Sequence, residues 1–313
     1  MPKGLFLFFM LLLSLPAHAE DWPTEQWPTG PAITGPALQA LEAYAFPPRD
    51  DTTRRGIRSD ALLVIRDGQL IYERYAGPTN AQTPHLTWSI SKSLMATVLG
   101  IAYGDGRFRL EDPVAKFYPP LAKHPDLTMA DLLHWASGID WQEDYEYAPL
   151  KSSVVAMLYT RGHSDMAAFT ADHHSYAAAG QAFRYSSGDT NLLSAALKNI
   201  VGAERYPNYP WSALFEPLGI RSAVWETDAT GTFVASSYAY LTARDLARIG
   251  LLMARDGRWG DKQLLPKDWV VFNREPFIGY RANQDEAVPG GHWWLNRATG
   301  GGARASAGAP GDT

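Results

Sequence analysis

The chain has 313 residues, 46% of them hydrophobic and 19% charged, with a formal net charge of -5 and no cysteine. That length supports one large domain or two interleaved ones around a sizeable core. The negative balance leaves no basic footprint for nucleic acid or an anionic membrane, and disulfides are excluded outright.

In chain order, the first feature is a targeting segment. Lys3, an apolar run over residues 5–15 and the small-x-small pattern Ala17-His18-Ala19 have the layout of a signal peptide, and the run is too short to span a bilayer. A signal peptide over residues 1–19, a mature chain from about Glu20 and a secreted or periplasmic location are therefore expected. The competing reading is a retained anchor; a lipid on a processed N-terminal cysteine is ruled out by composition. Residues 21–48, rich in Pro, Trp and Thr, are expected to wrap the surface without regular structure. Residues 61–65 and 69–75 are β-prone runs joined by Arg66-Asp67-Gly68, a strong hairpin signal. Thr87 is predicted to cap a helix that begins near Ser89, passes through Leu94, Val98 and Ile101, and stops at Gly104 or Gly106. From Leu110 to about Arg248 the pattern is helical pieces broken by Pro and Gly, clearest over 128–135 and 191–200. Another helix is expected over 243–254, where Leu246, Ile249, Gly250 and Met253 share one face. Residues 292–295 read as a return to strand. The order predicts a sheet domain, about 59–109 and 255–313, interrupted by an all-α insert over about 110–254, with a cleft between them.

The chemistry concentrates in Thr87-Trp88-Ser89-Ile90-Ser91-Lys92-Ser93. Helical spacing places Ser89 and Lys92 on one face. A serine hydroxyl needs a base within reach, and lysine serves as one only where its surroundings favour the neutral amine. A position in the first helical turn also brings the Ser89 N–H to the positive end of the helix dipole, where an oxyanion is stabilised. Ser-x-x-Lys alone is weak, since about one is expected by chance in a chain this long; its place after a strand pair and at the start of an apolar helix strengthens it. A second candidate, Phe183-Arg184-Tyr185-Ser186-Ser187-Gly188-Asp189, precedes a helix. Tyr185 is able to relay a proton if its hydroxyl faces the Ser-Lys pair, although a loop tyrosine is more often structural. Trp141, Tyr145 and Tyr147 are candidate cleft residues. Glu143, Asp144 and Glu146 would favour a substrate amine, or form a solvated acidic loop. Asp172-His173-His174 lacks a spaced third ligand and carries no metal reading.

Together these motifs resemble the class C β-lactamases and their relatives, among them D-alanyl-D-alanine carboxypeptidases, certain esterases and the 6-aminohexanoate-dimer hydrolases. The resemblance rests on Ser89-Ile90-Ser91-Lys92 followed by Tyr185-Ser186-Ser187. It is extended by Gly104-Asp105-Gly106, by Leu110-Glu111-Asp112-Pro113-Val114, by the run from Leu127 to Ser137-Gly138, and by Thr242-Ala243-Arg244-Asp245-Leu246-Ala247-Arg248-Ile249-Gly250. It covers about Ser59 to Trp294. It implies an α+β fold with an antiparallel sheet and flanking helices, Ser89 as acylated nucleophile, Lys92 as base, Tyr185 in proton transfer, and a small amide or ester substrate; it implies no metal or organic cofactor. Class C β-lactamases carry Asn where Ser187 stands. This departure, with Gly138-Ile139-Asp140-Trp141-Gln142-Glu143-Asp144-Tyr145, points to the aminohexanoate-hydrolase and esterase branch, and makes Ser187, Trp141 and Tyr145 the candidate substrate contacts.

The third motif of the resemblance, Lys-Thr-Gly or a His-x-Gly equivalent, has no match after His292-Trp293-Trp294. With the Gly/Ala-rich stretch 300–311, this leads to the expectation that the last strands and final helix of the sheet domain are missing. The rival reading, from a different class, is a catalytically silent cell-wall-binding or regulatory protein; retention of Ser89, Lys92 and Tyr185 argues against it, and the absent motif argues for it. The oligomeric state is not legible.

Overall fold

A computed structural model describes residues 21–56, 58–277, 279 and 288–295, together with the backbone of 305–306. The expected signal peptide and most of the Gly/Ala-rich stretch lie outside the described residues. No helix among them is long and apolar enough to cross a membrane.

The segment before the hairpin is more ordered than its composition implied. Helix α1 (Pro36–Ala45) forms within it, with proline at its start and the helix-forming run Ala37-Leu38-Gln39-Ala40-Leu41 behind. Upstream, residues 28–33 run along one strand of the hairpin: Leu70 N donates to Pro28 O (2.7 Å) and Gly30 N to Leu70 O (3.1 Å). The hairpin itself comprises β1 (Ala61–Arg66) and β2 (Gln69–Tyr75), with Arg66 opposite Gln69 and a register shift between Val64 and Ile65. Asp67 and Gly68 both have positive φ (55° and 85°), the two-residue turn that the Asp-Gly pair favours.

Helix α2 (Ile90–Gly104) is the centre of the molecule. Leu94, Met95, Val98 and Leu99 are fully buried, and residues on every side of its first three turns are buried too. A helix buried on every side belongs inside a larger body. It packs in one continuous core with α3 (Met129–Leu133), α6 (Ser187–Val201), the inner face of α7 (Ala243–Ala254) and α8 (Lys267–Arg274). Helices α4 (Ser153–Tyr159) and α5 (Met166–Ala171) enclose a second cluster around Trp141, Met157 and Met166. The strands β3 (His85–Leu86), β4 (Val224–Trp225) and β5 (Ala239–Leu241) form an antiparallel sheet with β5 in the middle. A short hairpin, β6 (Arg258–Trp259) and β7 (Lys262–Gln263), precedes α8. In the last sheet, β9 (Trp294–Leu295) lies between β8 (Val288–Pro289) and β10 (Ala305–Ser306).

Two boundaries differ from the sequence reading. The stretch 110–254 is not wholly helical, because β4 and β5 fall inside it; strands of two or three residues leave no periodicity to detect. Nor does Thr87 cap α2. Its hydroxyl donates to Ala239 O (2.9 Å) and pairs with Ser91 Oγ (2.8 Å), and Ser89 occupies the cap position. Thr87 therefore ties the segment that leads into Ser89 to β5 instead of closing a helix end.

The helix over 243–254 forms as expected, and the family-like run at its start is a folding device. Thr242 Oγ1 accepts from Asp245 N at the cap, Arg244 pairs with Glu73 of β2 (2.6 Å), and Arg248 donates to Leu218 O (2.8 Å). Leu251 packs with Leu70 and Trp27 against the hairpin. Among the described residues, β1 pairs only with β2.

Candidate active site

Ser89 stands at the N-terminus of α2, one residue after Trp88, whose φ is +43°. A left-handed backbone at a tryptophan costs about 1–3 kcal/mol and persists only where the surroundings enforce it. Lys92, one turn on, is 1% exposed; its Nζ lies 3.0 Å from Ser89 Oγ and donates to Ser236 O at 2.9 Å. Ser236, which sequence reasoning missed, is itself buried: Asn191 Nδ2 donates to its Oγ (3.2 Å). It precedes β5, so the segment that clamps Thr87 also supplies a carbonyl to Lys92.

Tyr185 is delivered to the same place by different means. Residues 183–186 belong to no helix or strand; Arg184 N donates to Trp135 O (2.8 Å), and the Arg184 guanidinium pairs with Asp140 (2.7 Å) and lies over the Tyr176 ring (3.5 Å). Ser186 then caps α6, accepting from Asp189 N. Gly188 follows because a side chain there would run into Trp141 and Thr170, at 2.8 Å and 2.6 Å from an ideal Cβ. The Tyr185 ring ends up 4.9 Å from Lys92 Nζ, with Trp135 at 4.9 Å and Trp294 at 5.8 Å between ring centres. Ser89, Lys92 and Tyr185, drawn from two separated motifs, are thus brought together.

Asp189 is fully buried, accepting from Ser137 Oγ (2.8 Å) and Ser186 Oγ (3.1 Å), and desolvation pushes its carboxyl up to about 7. It joins the Ser137-Gly138 turn to the start of α6. His292 is a second hidden tie. Its Nδ1 donates to Leu133 O (2.6 Å), its Nε2 accepts from Thr190 Oγ1 (2.9 Å), and its backbone O accepts from Ser93 Oγ (2.8 Å). That bonding fixes the neutral tautomer protonated on Nδ1. Burial, foremost, holds its pKa down near 3. The sequence reading saw His292 only as the edge of a strand; its positive φ (63°) and its contacts are non-local.

The candidate substrate contacts Trp141, Tyr145 and Ser187 all converge on Glu143. Trp141 is 1% exposed, and its Nε1 donates to Glu143 Oε2 (2.5 Å). Ser187 is buried, with its N–H on Glu143 Oε2 (2.9 Å) and its hydroxyl on Glu143 Oε1 (2.5 Å). Neither lines an open wall: both are engaged by the partly buried carboxylate of Glu143. Tyr145 is half exposed and reaches Glu143 Oε1 at 3.4 Å, while Tyr147 is exposed. Asp144 receives the N–H groups of Glu146 and Tyr147, an ordinary loop-closing role.

A buried lysine one helical turn from an N-terminal serine, beside a tyrosine that leads into a second helix, marks the candidate site of an α+β fold of the penicillin-recognising type. The Beta-lactamase family profile matches residues 39–312, and the chain belongs to that family of β-lactamase-fold serine hydrolases. It is 29% identical over 223 residues to a 6-aminohexanoate-dimer hydrolase of Paenarthrobacter ureafaciens, a match that covers 68% of this chain and 56% of that protein. The chain thus spans little more than half the length of this curated relative. Among solved structures, one from Bacillus anthracis provisionally named a 6-aminohexanoate-dimer hydrolase superposes with a TM-score of 0.69 at 20% identity, over 90% of this chain and 76% of that one. A penicillin binding protein from Bacillus halodurans gives 0.62 at 15% identity, over 77% and 81% of the respective chains.

Proposed function

We propose that the protein is an exported serine hydrolase that cleaves small linear amides or esters through an acyl-enzyme on Ser89. The observation that carries this reading is the 3.0 Å contact between Ser89 Oγ and the buried Lys92 Nζ. Burial favours a neutral amine, and the same geometry lets the serine hydroxyl donate to it. Ser89 Oγ then attacks the substrate carbonyl carbon as its proton passes to Lys92 Nζ. The carbonyl π pair moves to oxygen, giving a tetrahedral oxyanion near the α2 N-terminus. When the oxyanion collapses, the carbon–heteroatom bond breaks, and the leaving amine or alcohol takes a proton from Lys92, with Tyr185 beside it in the transfer. Water repeats the sequence on the acyl-enzyme and frees Ser89.

The choice of linear amides and esters over β-lactams is supported by Ser187. A serine stands where class C β-lactamases carry an amide side chain, and its hydroxyl is already committed to Glu143. The named activity of the Paenarthrobacter relative points the same way. Export is supported by the layout of residues 1–19. The test is steady-state turnover of p-nitrophenyl acetate, a linear ω-amino amide and nitrocefin by the wild-type protein and Ser89→Ala. Ester or amide turnover that vanishes in Ser89→Ala, with poor nitrocefin turnover, supports the proposal. Turnover unaffected by Ser89→Ala contradicts it.

A further inference from the structure

Beside the nucleophile the chain exposes an aromatic surface that the catalytic reading leaves unused. Trp88 is 45% exposed although it is flanked by the buried Thr87 and followed directly by Ser89. The β3–β5 ladder pairs Leu86 with Tyr240, and Thr87 N continues it by donating to Ala239 O (2.8 Å). The next step along this antiparallel register sets Trp88 across from Tyr238. The two rings meet edge to face, 6.2 Å apart and 62° inclined. Tyr238 rests on the apolar cluster of Trp141, Val154 and Met157, and its phenol is close to that of Tyr159, itself half exposed. Burial, foremost, with the neighbouring Tyr159 phenol, pushes the Tyr238 phenol well above its usual range, so this surface stays uncharged. Both segments that bear the shelf also hold the catalytic pair: residues 87–89 carry Ser89, and Ser236 just before Tyr238 receives Lys92.

We infer that Trp88 and Tyr238, backed by Tyr159, form an acyl-group subsite that takes a flat apolar, preferably aromatic, group attached to the scissile carbonyl. This inference rests on Ser89 being the acylated residue. The leaving group must collect its proton over Lys92 and Tyr185, whereas the acyl group stays bonded to Ser89, next to Trp88. An aromatic ring there stacks on the indole and covers apolar surface that is otherwise wet. Thr87 and Ser91, both bonded toward Ala239, hold the shelf in place when the substrate changes.

The test uses the full-length protein and p-nitrophenyl esters that share one leaving group and differ in acyl group: acetyl, butyryl and phenylacetyl. The expected kcat/KM for phenylacetyl exceeds that for acetyl by about tenfold or more. Trp88→Ala and Tyr238→Ala should each collapse that ratio toward one, mainly through KM, while Tyr238→Phe preserves it. A second readout needs no chemistry: phenylacetate should bind Ser89→Ala protein and lose that affinity in the Ser89→Ala/Trp88→Ala double variant, followed by calorimetry. A ratio near one in the wild type, a ratio unmoved by Trp88→Ala, or selectivity that follows the alcohol in place of the acyl group would overturn the subsite. Failure of the serine reading alone shows differently, as ester turnover indifferent to Ser89→Ala.

Discussion

His292 lies flat on Trp135, with ring centres 4.5 Å apart and planes 16° from parallel, and Trp135 in turn meets the Tyr185 ring at 4.9 Å. Trp135, like His292, has a left-handed backbone (φ 53°), so two strained, buried residues set the wall behind the candidate proton-transfer tyrosine. His292 also bonds to the end of α3, to α6 and, through its carbonyl, to α2. It holds in register α2, which carries Lys92, and α6, whose start follows directly on Tyr185 and Ser186.

Replacing His292 with Phe keeps a ring on Trp135 but strands Leu133 O and Thr190 Oγ1. We expect a loss of about 2–4 kcal/mol, from two buried groups left without partners, measured by urea denaturation. His292→Ala should cost at least as much, because the stacked ring is lost as well.

The same residue sets an acid limb of stability. Its folded pKa, near 3, is below the ordinary value of 6.5, because burial penalises the imidazolium. The unfolded chain therefore binds more protons between these values, and stability should fall as pH drops from about 6.5 toward 3. His292→Gln should flatten that limb in pH-dependent melting curves. An acid limb identical in the variant would show that other groups, such as the likewise depressed His134, account for it.

Asp189 works in the opposite direction. Desolvation raises its folded pKa from 3.8 to about 7, so the folded state holds a proton that the unfolded chain has released. Its contribution is complete below about pH 4 and is lost as pH rises toward 7. Asp189→Asn keeps an oxygen for Ser137 and Ser186 and removes the buried charge. The variant should therefore gain on the wild type at pH 8 relative to pH 5, by a few degrees of melting temperature.

Glu143 gathers Ser187, Trp141 and Tyr145 at one carboxylate. Glu143→Gln presents a single acceptor oxygen to these donors, and we expect a loss of about 1–3 kcal/mol, with faster proteolysis within 141–151. Ser187→Asn needs room that the buried hydroxyl does not leave. It should destabilise the fold by a similar amount and gain nothing on nitrocefin unless Glu143 is changed with it.

These predictions concern residues of very different legibility. The β1–β2 hairpin was readable because Asp67-Gly68 is a local signal, and α7 because its apolar positions recur at helical spacing. Ser89, Lys92 and Tyr185 were readable from ordered motifs. Ser236 was not: it meets Lys92 from 144 positions away through a backbone carbonyl, which no residue type announces. His292 meets Ser93 from 199 positions away and Thr190 from 102. Glu143 looked like part of a solvated acidic run, and only the fold turns it toward Ser187, 44 positions on. Thr87 looked like a cap because threonine before a helix often is one; pairing with β5 outcompeted that local bond.

The most direct measurement is to treat the protein with a fluorophosphonate and map the adduct by peptide mass spectrometry, in the wild type, Ser89→Ala and Lys92→Ala. An activated Ser89 predicts a single adduct on Ser89, none in Ser89→Ala, and labelling slowed by at least about 100-fold in Lys92→Ala, whose base is gone. An adduct on Ser91 or Ser93, labelling that survives Ser89→Ala, or a wild-type protein that never reacts would contradict it.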